Sequence, residues 1–395
     1  MMITVQEARV IFAKHPFKAC KEQVPLMECY GRILAEPIHG ERDAPPFDRV
    51  MMDGIAIQNK DLGQFDRFNC IGQQFAGDAP KNWEVKDGDC VETATGAVLP
   101  ANTDRVLPYE WLKQEGDSFI LVKPTEEIIG TKSNIHQKGS DRRAGALSIE
   151  EGSQILAPEV AVLASEGKTH PWVYQLPRTA VISTGNELVD LSSKPKDHEI
   201  RRSNVFMLLA MLKRDGINAS AFHLNDDQAD IENWLDAHLK YFDLLIFSGG
   251  VSMGKKDHLP DVFQEKGIHQ YFHKVKQRPG KPLWFGGNDR ITVFGLPGNP
   301  VSSMVAYSVH VRTWLGKVNS STARLTQDVQ FNPAFTRFLP VRLKTENGIA
   351  LATPVGEQGS GDFESLVGSN GVIELPLENS EFHTGDSFHF YPFHV

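Results

Sequence analysis

Three loops and one basic turn carry the side chains in this sequence whose types and spacing suit the handling of an anion. Ser248-Gly249-Gly250-Val251-Ser252-Met253-Gly254 follows an apolar run, and its paired glycines let backbone N–H groups close on a phosphate. Asp257, just before Leu259-Pro260, reads either as a site acid or as the N-cap of the next helix. Gly295-Leu296-Pro297-Gly298-Asn299-Pro300-Val301-Ser302-Ser303 joins a strand at 291–294 to a helix. Its prolines and central glycine form a rigid hook exposing amides at a helix start, although Asn299 with Pro300 also serves as a plain cap pair. Ser183-Thr184-Gly185-Asn186-Glu187-Leu188 places a carboxylate at another strand end, where a solvated loop acid is the alternative. Residues 274–282 carry four cations (Lys274, Lys276, Arg278, Lys281) and no acid, in a chain of net charge -9. That turn is either solvated or a focused anion site.

These loops converge only if strands bring their ends together. Between about 176 and 316 the sequence alternates strand (179–183, 219–224, 243–248) with helix (203–212, 226–239). Such alternation predicts a mostly parallel sheet with helices on both faces. Ligands on such sheets bind beyond the carboxyl ends of the strands, which selects the loops 183–190, 248–257 and 295–303. Residues 4–16 predict a short amphipathic helix, and 157–164 a helix with proline in its first turn, closed by Gly167. From about 25 to 135 short apolar runs broken by Pro, Gly and Asp predict a β-rich region. From about 325 onward, short strands with turns at Glu346-Asn347-Gly348 and Gly385-Asp386 predict a small β-barrel or sandwich.

The composition is that of a globular chain. At 395 residues it is long enough for two to four domains of roughly 150 residues each. Hydrophobic residues make up 41% and charged residues 23%, which excludes disorder, and no run approaches the roughly 18 apolar residues of a membrane span. The net negative charge argues against broad nucleic-acid binding. The start lacks the basic-then-apolar order of a secretory signal, so a cytoplasmic protein is expected. Cys20, Cys29, Cys70 and Cys90 are widely spaced without a CxxC pair, indicating neither a zinc site nor a disulfide framework.

Further segments join the pattern: Pro45-Pro46-Phe47-Asp48-Arg49-Val50-Met51-Met52-Asp53-Gly54, Thr95-Gly96-Ala97-Val98-Leu99-Pro100 and Gly139-Ser140-Asp141. Taken with the STGNEL loop, SGGVSMG plus Asp257, RPGKP and GLPGNPVSS, the chain resembles the MoeA family of molybdopterin molybdenumtransferases over essentially its whole length. The resemblance implies an α/β plus β multidomain chain. Residues 1–25 with 138–174 would form an elongated dimerisation domain, and 26–137 an inserted β-rich domain. Residues 175–324 would form a MogA-like three-layer α/β domain that binds molybdopterin, and 325–395 a C-terminal β-barrel. It also implies a head-to-tail homodimer with each site between the α/β domain of one subunit and the inserted domain of the other. The implied reaction inserts molybdenum from molybdate into adenylylated molybdopterin, releases AMP and uses Mg²⁺. A MogA-like adenylyltransferase and recipient molybdoenzymes are the implied partners.

On the matching positions, the resemblance implies that Glu187, Asp226 and Asp257 are metal- and phosphate-side acids, with Asp53 and Asp141 supplied by other domains. Thr95, Thr184, Gly249, Gly250, Ser252, Pro297, Asn299 and Pro300 would contact the pterin dinucleotide, and Arg278, Lys281 and Ser302 would bind molybdate. The chain departs from the family pattern at Arg49-Val50-Met51, at Ile55, at Lys255, at Ser140 and at Pro340, where a molybdate-associated arginine is usual. Arg337 or Arg342 could reach the same space. An active insertase is the first reading; a molybdopterin-binding paralogue with altered activity and a MogA-like adenylyltransferase are the alternatives.

Overall fold

The computed structural model describes residues 2–251, 258–318, 321–331, 334–356, 359, 361–362 and 364–393. The chain divides into two compact units, Lys21–Tyr174 and Met1–Cys20 with Gln175–Val395.

The Lys21–Tyr174 unit is β-rich, as its broken apolar runs predict. Its largest sheet orders six strands as Arg105–Pro108, Gly54–Ile57, Asp89–Thr93, Arg67–Gln74, Ser118–Leu121 and Leu112–Glu115. Ile55, Ile57, Phe68, Leu107 and Phe119 form its core. Gly54 has no substitute here, because a Cβ would sit 1.9 Å from the Leu107 carbonyl oxygen. A second cluster, with Leu34, Ile155, Leu163 and Val173, lies around the helix Ala157–Ser165.

In the other unit, α1 (Val5–Lys14) opens with a capping box: Thr4 Oγ1 accepts from Glu7 N and the Glu7 carboxylate accepts from Thr4 N. Its apolar stripe of Val5, Ala8 and Phe12 is buried. The central sheet contains β1 (Thr179–Thr184), β2 (Ala219–Leu224), β3 (Leu244–Ser248), β4 (His269–Lys274), β5 (Pro282–Gly287) and β6 (Thr292–Leu296), ordered β2-β1-β3-β6-β5-β4. The first four in that order are parallel, and β5 and β4 continue antiparallel. β1 and β3 are buried at every position, as expected for strands covered on both faces. One face packs against α1, α2 (Ser203–Arg214) and α5 (Pro300–Ala306); the other packs against α3 (Gln228–His238) and α4 (Leu259–Glu265).

The closing strands are β7 (Ser321–Leu325), β8 (Thr336–Glu346), β9 (Ile349–Pro354), β10 (Gly371–Leu375) and β11 (Ser387–Pro392). The pairings β8–β9, β9–β7, β7–β11, β11–β10 and β10–β8 return to their starting point, so the sheet closes into a five-stranded barrel. The β8–β9 turn has Asn347 and Gly348 both at positive φ, 49° and 78°, the geometry that Asn-Gly favours in tight hairpins.

The buried stripe of α1 is spent on the α/β core, within the unit that joins Met1–Cys20 to Gln175–Val395. The Phe12 ring meets Phe285 edge-on at 4.8 Å, with Phe294 at 5.7 Å and Phe272 at 5.8 Å. Phe12→Ala should cost this unit about 3–5 kcal/mol. In a denaturant titration its transition should move to lower concentration while that of the Lys21–Tyr174 unit stays in place.

Candidate active site

Parallel register sets the site. Ser183 of β1 pairs with Ser248 of β3, and Ser248 with Leu296 of β6, so three carboxyl ends finish level. The loops after them open onto a cavity of about 990 Å³. Thr184, Glu187 and Asp226 line it from the β1 and β2 ends, Gly249 and Gly250 from β3, and Pro297, Asn299, Pro300 and Ser302 from the loop after β6. Ser252 and Asp257 lie outside the described residues.

The glycine pair is required by packing as well as backbone conformation. Gly249 and Gly250 have φ of 99° and 69°. A Cβ on Gly250 would lie 2.7 Å from both Thr184 Oγ1 and Leu259 Cδ1, and one on Gly249 would lie 3.2 Å from the Thr184 carbonyl oxygen. Beneath the pair the Thr184 hydroxyl is buried and has no hydrogen-bond partner among the described residues. A buried hydroxyl of this kind costs free energy unless something bonds it. Asn204, near the start of α2, fixes the mouth by donating to Ser248 Oγ at 3.3 Å and to the Gly298 carbonyl at 2.7 Å.

Glu187 is exposed and Asp226 half-buried, and both act electrostatically on His223. Burial, then the Arg202 guanidinium, hold that imidazole below its usual value, while Ser183 Oγ lies 3.0 Å from its Nδ1. Among the described residues no three His, Cys, Asp or Glu side chains form a complete metal cage. Glu187 and Asp226 nevertheless put two carboxylates on one cleft, oxygen donors of the kind that a hard divalent cation takes together with substrate oxygens and water.

A second cavity of about 400 Å³ is lined by Arg278, Lys281, Ser302 and Arg337, and shares Pro282, Asn299 and Ser302 with the first. Its cations come from two elements joined in parallel: Gln277 pairs with Thr336 and Arg278 with Arg337 at the start of β8. Arg337 stands over Phe331 at 4.8 Å and Lys281 Nζ over Phe335 at 5.6 Å, contacts that hold both heads by cation–π attraction. Arg342, the other arginine considered for this space, instead donates to the Gly368 carbonyl.

The turn bearing Arg278 and Lys281 is held from beneath. Buried Gln277 donates from Nε2 to the carbonyls of Pro279 and Gly280 at 3.3 and 3.1 Å. His310 Nε2 lies 2.6 Å from Gln277 Oε1, so the ring donates. Complete burial, reinforced by Arg9, pushes His310 down to about 3, which keeps it neutral. His310 lies in the π-helical turn Tyr307–Val311, a local widening that aims side chains off the regular helical face.

The Lys21–Tyr174 unit contains the other expected residues. Asp53 Oδ1 accepts the Thr95 N–H at 2.7 Å, and this amide together with the Thr95 hydroxyl holds the Asp53 carboxyl below its usual range. Asp141 Oδ1 lies 2.7 Å from His136 Nε2. Sequence reading missed Asn204, Arg202, Gln277 and His310. Asn204 and Arg202 line the large cleft. Their only signal was position, at the amino end of a helix on the ligand side of a parallel sheet. Gln277 and His310 act through tertiary contact and gave no signal.

Two outcomes follow. Gly250→Ala forces a side chain into a left-handed backbone beside Thr184, so it should abolish ligand binding by isothermal titration while far-UV circular dichroism stays native. His310 is depressed from about 6.5 unfolded to about 3 folded, so stability is full above the first value and falls as pH drops toward the second. Urea midpoints measured at pH 7 and pH 5 should therefore fall more for the native protein than for His310→Gln; equal falls would refute the assignment.

Three family models match in order along the chain: "MoeA N-terminal region (domain I and II)" at 3–167, "Probable molybdopterin binding domain" at 180–317 and "MoeA C-terminal region (domain IV)" at 322–393. The molybdopterin molybdenumtransferase of Synechocystis sp. is 41% identical over 368 residues, covering 92% of each chain. That of Haemophilus influenzae is 30% identical over 411 residues, covering 99% of each. Among solved structures, a molybdopterin biosynthesis MoeA protein from Pyrococcus horikoshii superposes with a TM-score of 0.81 at 27% identity, covering 100% of both chains.

Proposed function

The chain belongs to the MoeA family of molybdopterin molybdenumtransferases, and from that premise we propose that it inserts molybdenum from molybdate into adenylylated molybdopterin, forming molybdenum cofactor and releasing AMP. The observation that carries this reading is the pair of adjoining cavities. One is glycine-floored, acid-edged and large enough for a dinucleotide; the other is small and ringed by Arg278, Lys281 and Arg337; Ser302 and Asn299 belong to both.

Each cavity suits one substrate. The Gly249–Gly250 backbone and the Thr184 hydroxyl take phosphate oxygens, while Pro297 and Pro300 shape the wall and Asn299 lies between the cavities. Molybdate is a tetrahedral dianion, and the three cations offer it charge that Ser302, at the shared edge, supplements with a hydroxyl. Molybdate is thereby held beside the pterin end of the substrate, which converts an encounter of two solutes into a step within one site.

Mg²⁺ belongs to the proposal, with Glu187 and Asp226 as protein ligands and Asp257 as a third acid; it would shield phosphate charge during cleavage of the phosphoanhydride. The proposal also includes a cytoplasmic homodimer in which Asp53, Thr95 and Asp141 of one subunit complete the site of the other.

Incubation with adenylylated molybdopterin, Mg²⁺ and molybdate should release AMP in proportion to cofactor formed. Binding without AMP release would favour a paralogue with altered activity, and ATP consumption with free molybdopterin would favour an adenylyltransferase. Lys281→Ala should raise the molybdate concentration giving half-maximal rate about tenfold, with the deficit vanishing at saturating molybdate. An unchanged requirement would remove Lys281 from the molybdate pocket.

A further inference from the structure

One departure from the family pattern, Arg49, is bonded to a residue that touches a proposed site acid. The two-residue strand Arg49–Val50 pairs antiparallel with Ile135–His136, and His136 stands opposite Arg49. Arg49 Nη2 lies 2.9 Å from His136 Nδ1, and His136 Nε2 lies 2.7 Å from Asp141 Oδ1. A guanidinium has donors only, so Nδ1 must be the accepting nitrogen. The ring proton is therefore on Nε2 and points at Asp141.

The loop that bears Asp141 is laced to the segment that bears Arg49. Lys138 N donates to Asp48 Oδ1 at 2.8 Å, Gly139 N to the Pro45 carbonyl at 2.9 Å and Asp141 N to the Ala44 carbonyl at 2.9 Å. The backbone thus fixes where Asp141 begins, and His136 fixes how its carboxylate turns. Oδ1 takes the ring N–H and a longer contact from Ser140 Oγ at 3.5 Å; among the described residues Oδ2 accepts no hydrogen bond.

We propose that Arg49 and His136 are positioning residues for Asp141: Arg49 locks the Nε2–H tautomer of His136, and His136 holds Asp141 with Oδ2 presented to the substrate. This rests on Asp141 being an acid of the insertion site. It gives a role to a residue that breaks the family pattern, because the cation at 49 fixes the donor at 136.

The test combines NMR with turnover, on the full-length protein. Long-range proton–nitrogen spectra, with His136 assigned by its loss in His136→Gln, should show Nδ1 bare and Nε2 protonated; Arg49→Met should give a tautomer mixture. Arg49→Met and His136→Leu should each lower kcat for AMP release about tenfold or more with the molybdate KM unchanged. His136→Gln, whose amide can still donate to Asp141, should recover part of that loss. His136→Leu combined with Asp141→Asn should be no slower than Asp141→Asn alone, the signature of residues acting as one unit. An unaltered tautomer in Arg49→Met, or full kcat in His136→Leu beside an inactive Asp141→Asn, would overturn the proposal. Full activity in Asp141→Asn would remove its premise and leave the insertase reading standing. All three positions are exposed or half-buried, so the variants should fold, and the Arg49→Met spectrum decides even if a His136 variant does not.

Discussion

The large cleft depends on a ladder of backbone hydrogen bonds between parallel strands. Because β1, β3 and β6 pair in step, three loops far apart in sequence leave the sheet within about 10 Å of one another, two strand spacings. The loops need only short reaches to meet. Glycine at 249 and 250 then brings the β3 loop down onto Thr184, and Asn204 ties that loop's root to the β6 loop. A ladder interior, buried on both faces, is among the most rigid parts of a protein, so the cleft inherits a framework that does not need a ligand to assemble it.

The cationic pocket is built on a different principle. Its charges come from a turn and a barrel strand, and the side chains are long. What limits their wandering is indirect: aromatic rings beneath Lys281 and Arg337, and the buried Gln277–His310 pair beneath the turn. A neutral imidazole serves here because a charged one would be expensive in so dry a place. The molecule thus combines a rigid cleft for a large ligand with a braced, cation-rich socket for a small dianion.

How much of this could be read from residues alone follows from the range of the forces involved. Buried parallel strands are continuous apolar runs that stop at glycine, so 179–184 and 244–248 were legible nearly to the residue, while the edge strand 219–224, exposed or half-buried at all but its last position, was legible from its place between two helices. The Asn347-Gly348 turn was legible for the same local reason. The expected residues Thr184, Glu187, Asp226, Gly249, Gly250 and Asn299 do share one cleft, since the strand-end rule acts through topology. Asn204 was invisible because its partners lie 44 and 94 residues away. His310 was invisible because nothing in a helical sequence marks where a π turn will widen it. The amphipathic stripe of α1 announced that a partner existed without naming it, because the rings that receive Phe12 lie far along the chain.

The placement of α1 also constrains how the molecule is made. Strands Lys21–Gln23 and Trp172–Tyr174 zip together antiparallel, and Gln175 N bonds the Cys20 carbonyl, so the β-rich unit leaves its host at the point where it entered. The rings of Phe272, Phe285 and Phe294 that receive α1 lie beyond that whole unit in sequence, so docking α1 closes a long loop, a contact that weighs more on folding rate than on stability.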